Sequence, residues 1–590
     1  MYRLRLSLLA AVCLIVVPSA VWSAPAQGAR SGLEQVPDTA PIVLHLRGVK
    51  GTRDHLVAMM KNALPDVLAK FQKEMDDFIQ NGKDGRKIRG LRDDGPIFFA
   101  LTELPKVDAG HFDKVALILA VSDYKEFLNN ILTEEERKGM TDKGEGIQST
   151  TFERETAYFL DRKGYAVITP NEDVAKSFTK KFTGLHAKMS KEQAAKLLGS
   201  DLGAYVNMEA VNKEYADEIK KAKEGIEQLI SLGAAGVDES QKQMIEVFKK
   251  AIGPTFQAIE DMQAALVTIE MRPGGFGLHL QSEMKEGSPT ANLLQDSRPV
   301  AFTELGRMPP DRHFYIAMKA SAALYKNLGG LIAGLPAGGT GVSVALMEEL
   351  AKAGPNMMLS SVSLPTNGLT VYQYDDPAKA VAATLKMYGK MEPKEVKLKQ
   401  KPAIKSDAEK CGDFKLHSVQ MVWDFDKLAE PVAAKGGDDA KKQYIEAMKG
   451  ILGEKTNIWF GTDGKTMVQI TAPDWPAAKK LLEQYTNSKA TVGEVKGFQD
   501  VRKEMPRQAS LMGLVDAAHM FSTILETVKP MLPPGVALPP GWPNLPAKSP
   551  SAYVGMAVTM QPNRGSFDLF ITAASAKEFY KAVVKPLVGE

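Results

Sequence analysis

The sequence predicts an α+β fold of two related halves, each built from βαββα-like units whose antiparallel or mixed sheets are covered by helices. Three observations carry that expectation. A strand, a tight glycine-containing turn, a second strand and a capped helix recur six times, loosely at 97–132 and clearly at 157–178, 265–294, 358–385, 457–482 and 553–584. Single strands leading into longer helices lie between these copies, at 42–46, 204–208, 314–318 and 510–514. Matching stretches also recur about 290 to 306 positions apart, as 204–208 and its following hairpin do with 510–514 and its own.

The order of elements begins with an export signal. Arg3 and Arg5 precede an apolar run from Leu8 to Val17, and small residues follow at 20–26. That run is too short to span a bilayer, so residues 1–26 read as a cleaved signal peptide and 27–40 as a linker. The first half is expected over 41–300 and the second over 301–590.

Each hairpin carries its own turn chemistry. Asp161-Arg162-Lys163-Gly164, Pro365-Thr366-Asn367-Gly368 and Gly461-Thr462-Asp463-Gly464 place glycine where a positive φ is needed. The helices that follow have start signals. Thr169-Pro170 with Glu172 reads as a capping box, Ser288-Pro289 and Asp376-Pro377 as cap followed by proline, and Ser575 with Glu578 as another box. After 204–208, apolar residues at Val211, Tyr215, Ile219, Ala222, Ile226 and Leu229 mark a half-buried helical stripe. The lysine-rich run 394–401 reads as a solvated linker.

Composition excludes several classes. The chain has 590 residues with 44% hydrophobic and 25% charged, an ordinary globular balance. Its formal charge of +3 falls to +1 once Arg3 and Arg5 leave, too little to recognise nucleic acid by bulk charge. Signal removal also takes Cys13 and leaves Cys411 alone, so no internal disulfide is expected.

The candidate chemistry is sparse. The eight histidines show no metal-ligand spacing, and His45 and His279 read as ordinary strand residues. Gly461-Thr462-Asp463-Gly464-Lys465-Thr466 has Trp459 where a phosphate loop needs glycine, and a strand follows where a helix should begin, so it reads as a hairpin. Ser343 lies among small residues ahead of a helix, but Ala345 stands where a nucleophile elbow needs glycine, and an N-cap role is the simpler reading. Cys411, beside Lys410, reads as a spectator thiol in a linker. No catalytic, metal or cofactor residues are assigned, and no cofactor is expected.

Three glycine- or proline-rich apolar loops stand out as possible contact surfaces: Leu232 and Val237 in the first, Leu331, Ile332 and Leu335 in the second, and Met531, Leu532 and Trp542 in the third. The export signal, the opening Pro37-Asp38-Thr39-Ala40-Pro41-Ile42-Val43, the stretch 202–208 and the repeated hairpin-helix units resemble a family of uncharacterised exported bacterial proteins of the domain-of-unknown-function kind. The resemblance implies an extracytoplasmic tandem α+β protein and supplies no site residues. The leading expectation is a non-enzymatic binding or scaffolding protein of the bacterial envelope with a protein partner. A periplasmic carrier of lipid or another apolar ligand is the alternative, and an envelope hydrolase the third.

Overall fold

The computed structural model describes residues 32–82, 86–106, 112–233, 249, 252–319, 349–529 and 551–585. The chain divides into two compact units. Unit 1 comprises Met1–Ala222, Phe256–Gln295 and Pro562–Asp568, and unit 2 comprises Lys223–Thr255, Asp296–Gln561 and Leu569–Glu590. The main break at 295/296 lies near the expected one at 300/301, but each unit also takes a segment from the other's stretch of sequence.

Unit 1 contains β1 (Ile42–Leu46), β2 (Ile97–Leu101), β3 (Val115–Ala120), β4 (Thr141–Gly144), β5 (Ile147–Phe152), β6 (Glu155–Asp161), β7 (Tyr165–Thr169), β8 (Leu202–Asn207), β9 (Met262–Arg272) and β10 (Gly275–Met284). Their order across the sheet is 4-5-6-7-3-2-1-8-9-10, and every neighbouring pair is antiparallel.

Unit 2 contains β11 (Phe314–Lys319), β12 (Pro355–Ser363), β13 (Asn367–Tyr374), β14 (Ala403–Cys411), β15 (Phe414–Val422), β16 (Lys455–Thr462), β17 (Met467–Ala472), β18 (Leu511–Val515) and β19 (Val554–Gln561). β20 (Arg564–Thr572) begins in unit 1 and ends in unit 2. The unit 2 order, 14-15-16-17-13-12-11-18-19-20, repeats that of unit 1 strand for strand. The described sheets are therefore antiparallel, not mixed.

One face of the unit 1 sheet packs against the helices Glu172–Thr179 and Lys191–Gly199, enclosing Val43, Phe98, Ile118, Val167, Leu197 and Leu266. Residues 32–40 belong to this core and are not a linker: Leu33, Val36 and Ala40 are wholly buried, and Leu185 N–H donates to the Val36 carbonyl at 2.8 Å. Burying each of the two larger side chains contributes about 1.5–3 kcal/mol, enough to hold the segment in place. On the opposite face the helix Tyr124–Ile131 covers Leu46, Ile97, Leu119 and Ile168. The helices Val49–Ala63 and Pro65–Asn81 cover Met271 and Phe276 on that same side of the sheet.

In unit 2, Phe302, Leu305 and Met308 take the place of the buried N-terminal segment. Val492 N–H donates to the Met308 carbonyl at 2.9 Å, the counterpart of the Leu185–Val36 bond. The helices Trp475–Asn487 and Lys496–Glu504 cover one face, and Pro377–Lys390 and Phe425–Leu452 the other.

Further expectations need correction. The lysine-rich run is not a free linker, because Leu398 is buried and the strand pair β14–β15 follows at once. The helix after Thr169 is capped by Asn171, whose side chain accepts from Val174 N–H at 3.1 Å, and the last helix by Thr572 in place of Ser575. The predicted stripe breaks into two helices, Met208–Glu214 and Ala216–Gly233, and its far end is exposed, with Leu229 69% accessible.

Candidate functional site

Register makes the two faces of the unit 1 sheet chemically explicit, since residues directly opposite in antiparallel strands project to the same side. On the side covered by the helix Lys191–Gly199, one row runs Leu160, Val167, Ile118, Phe98, His45, Gly203, Thr268, His279. The row is apolar at one end and polar at the other. Its unit 2 counterpart is apolar from β17 to β19, where it runs Val468, Val371, Leu359, Ala317, Met512, Ala557.

Burial in that row holds the His45 imidazole neutral: desolvation, with Arg47 adding to it, pushes its pKa down to about 3. Neither ring nitrogen of His45 has a hydrogen-bond partner, and the same is true of Thr268 Oγ1. His279 is better satisfied. Its Nδ1 lies 2.7 Å from Asp568 Oδ1 and its Nε2 3.4 Å from Gln281 Oε1. Lys196 Nζ stands 3.9 Å from the same Asp568 oxygen.

A second histidine contact closes the end of β8. Asp201 is buried, its Oδ2 accepts from Met271 N–H at 2.6 Å, and its Oδ1 lies 2.5 Å from His55 Nδ1. The Arg47 guanidinium approaches His55 Nε2 at 3.0 Å, and arginine has no acceptor. His55 thus lies between the Arg47 guanidinium on its Nε2 side and the Asp201 carboxylate on its Nδ1 side. Arg47 also donates to the Gly199 carbonyl, so the cluster pins β1, the helix Lys191–Gly199 and β9 together. Among the described residues, no serine or cysteine donates to any ring nitrogen of these histidines, and the cluster reads as a structural clasp.

The opposite side of the unit 1 sheet is different in kind. The row Leu117, Phe99, Leu44, Ala204, Val267, Leu280 is apolar across six strands, and Leu44 and Leu280 are 36% and 38% exposed. The next row, Leu101, Ile42, Val206, Ala265, is half-buried and apolar over four strands and ends in β10 on Ser282. Six strands at about 4.8 Å spacing make the longer row roughly 24 Å long. In unit 2 the matching row is Thr370, Ser360, Ile316, Gly513, Met556, with Ile316 37% exposed. There Ser360 Oγ and Thr370 Oγ1 bond to each other at 2.9 Å, which makes that row partly polar.

The loops expected as contact surfaces are mostly not placed. Val237, Leu331, Ile332, Leu335, Met531, Leu532 and Trp542 lie outside the described residues, as do Ser343 and the signal segment. Leu232 is 65% exposed but sits in the last turn of the helix Ala216–Gly233, so it is a helical residue and not a loop residue. Cys411 is no linker thiol: it ends β14, is buried, and burial raises its pKa, the opposite of thiolate activation. Gly461 to Thr466 turn between β16 and β17, where Asp463 Oδ1 accepts from Lys465 and Thr466 N–H at 2.9 and 2.7 Å.

No protein-family model matches the chain, and no curated protein matches its sequence. A solved structure described as "Structure of crystal form I of TP0453" is similar over 46% of this chain and 87% of that one, at 11% identity and a TM-score of 0.21. A similarity of that size carries no argument about this chain.

The sites missed from sequence share a cause. His279 and Asp568 stand 289 positions apart, and the apolar face of unit 1 draws on strands from 42 to 280. Only strand order brings them together. Continuous apolar runs at Ile97–Leu101 and Val115–Ala120, where a strand facing water on one side would alternate, were a local signal of a second apolar face.

Proposed function

We propose that the protein is an exported, non-enzymatic binding protein of the bacterial envelope, and that the apolar second face of the unit 1 sheet receives a helix of a partner protein. The observation that carries this reading is the uninterrupted apolar row from Leu117 to Leu280, two of whose members are more than a third exposed. A contiguous apolar face left accessible is uncommon in a monomer and marks a place of contact. Two adjacent rows give a strip about 10 Å wide, the diameter of an α-helix, and helix on sheet is the standard way such a face is covered. An open strip suits a helix better than an acyl chain, which needs enclosure on every side.

The test is a photo-crosslinking amino acid placed at Leu44 or Leu280, with Lys138, an exposed residue of the helix Glu134–Lys138, as control. Protein adducts at 44 and 280 but not at 138 are expected from envelope extract. Lipid adducts, or lipid mass retained in native mass spectrometry, would replace this reading by carriage. Turnover of an ester, peptide or glycan substrate would end the non-enzymatic reading.

A further inference from the structure

The two units share a joint in their backbone and differ in its side chains. In unit 1, Asn207 closes β8: its N–H donates to the Pro41 carbonyl at 2.8 Å, and its Oδ1 caps the next helix by accepting from Ala210 N–H at 3.2 Å. In unit 2, Asp516 N–H donates to the His313 carbonyl at 2.9 Å, and its Oδ1 accepts from His519 N–H at 3.2 Å. The same two bonds are made, but Pro41, Asn207 and Ala210 are replaced by His313, Asp516 and His519.

The replacements add two side-chain contacts. His519 Nδ1 lies 2.9 Å from Asp516 Oδ2, and His313 Nδ1 accepts from Leu364 N–H at 3.0 Å. An accepting Nδ1 carries no proton, so protonating it would break the bond to Leu364. The groups acting on His519 are Asp516 on its own helix, Glu578 from the helix Ala573–Phe579, and Asp311 ahead of β11. Those acting on His313 are Asp516, His519 and Arg312. The helix Phe425–Leu452 meets the far end of Ala517–Val528, where Gly450 lies against Thr527.

We propose that this joint is a pH-responsive latch of unit 2, holding the start of the helix Ala517–Val528 most firmly near pH ~6.5 and loosening on either side. The two histidines are displaced in opposite directions. The bond to Asp516 raises His519 above its ordinary value against the pull of burial, so its contribution is complete below about 6.5 and is lost as pH rises through the raised value. Burial lowers His313, so its contribution is complete above about 6.5 and is lost as pH falls through the lowered value. The unit 1 joint has no titrating group at these positions.

Hydrogen exchange of the full-length protein from pH 4.5 to 9, corrected for intrinsic rates, reads both joints in one sample. Opening of 517–528 should pass through a minimum while that of 208–214 stays flat, each unit of pKa displacement changing the opening constant about tenfold. Asp516→Asn, which installs the unit 1 residue and keeps the cap, should remove the alkaline limb. His519→Ala should do the same, and His313→Gln should remove the acid limb alone. A flat profile for 517–528, a parallel change in 208–214, or an alkaline limb that survives both Asp516→Asn and His519→Ala would each overturn the latch. Should Asp516→Asn not fold, His519→Ala decides.

Discussion

Glu136 is the carboxylate on which the outer part of unit 1 depends most, and Glu136→Gln tests how much. Its two oxygens take both Arg86 guanidinium nitrogens at 2.7 Å, Thr133 N–H at 2.8 Å and Glu153 N–H at 3.3 Å. Arg86 in turn donates to the Ile131 carbonyl at 2.8 Å and lies 4.4 Å above the Phe152 ring. One side chain thus joins the helix Glu134–Lys138, the β5–β6 turn and the approach to β2. Burial alone would raise its pKa, but these hydrogen bonds and the Arg86 charge outweigh it and bring the value from 4.5 to about 2. A displacement of that size corresponds to about 3 kcal/mol of preference for the ionised form, and solvent at the rim of the site reduces it to roughly 2 kcal/mol. The folded value lies below the unfolded one, so this stability is present above pH 4.5 and lost as pH falls toward 2. Urea unfolding read through exchange of peptides from 134–152 should show the variant about 2 kcal/mol weaker at pH 7, with the gap closing by pH 2.5. A gap under about 0.5 kcal/mol at pH 7, or one unchanged at pH 2.5, refutes the reasoning.

Thr268→Val removes a buried hydroxyl without a partner at nearly constant shape and should raise the unfolding free energy from urea titration by about 1 kcal/mol at unchanged slope; a loss of stability would show that the hydroxyl is bonded. Within the turn once comparable to a phosphate loop, Gly461→Ala should cost more than about 3 kcal/mol, because a Cβ there would collide with the Lys415 backbone carbonyl. Gly464→Ala, at φ 88° with open space around it, should cost only about 1 kcal/mol in melting experiments, and equal effects at both positions would contradict the hairpin geometry. Native Cys411 should resist iodoacetamide at pH 7.5 and react once urea is added; rapid native labelling would mean the end of β14 is open.

Hairpins announced by turn chemistry were readable because the signal is local. Gly164 and Gly464 adopt positive φ and Asn563 is left-handed at φ 61°, residue types that tolerate it, whereas Gly368 has no positive φ and lies inside β13. The pair β14–β15 escaped notice for the opposite reason. Ala403–Cys411 is an edge strand whose outward residues are charged, so the apolar alternation that identifies a strand is weak, and lysines there resemble a linker. Buried sites were hidden by topology. His45 and Ala317 occupy the same place in strands of the same order, yet only the register reveals that one unit carries a buried histidine where the other carries an alanine.

The edges bear on where a partner can bind. A sheet offers an incoming chain either its faces or an unpaired strand edge, and edge pairing requires a flat, regular strand. β4 is short, fully exposed and irregular between Asp142 and Gly144, the latter at φ 83°. β14, at the same place in unit 2, has an irregularity between Lys405 and Glu409, with Asp407 in the left-handed region at φ 47°. The two edge strands share little sequence and reach the same outcome, since each is interrupted and lined with charge. Strand addition is thereby disfavoured at β4 and β14 alike, which turns attention to the faces. Of the two half-exposed faces, that of unit 1 is apolar from Leu117 to Leu280, whereas that of unit 2 is interrupted by the bonded pair Ser360 and Thr370. A partner that buries apolar surface therefore gains more on unit 1, and Leu44→Asp should weaken its capture more than Ile316→Asp, although the two residues are almost equally exposed.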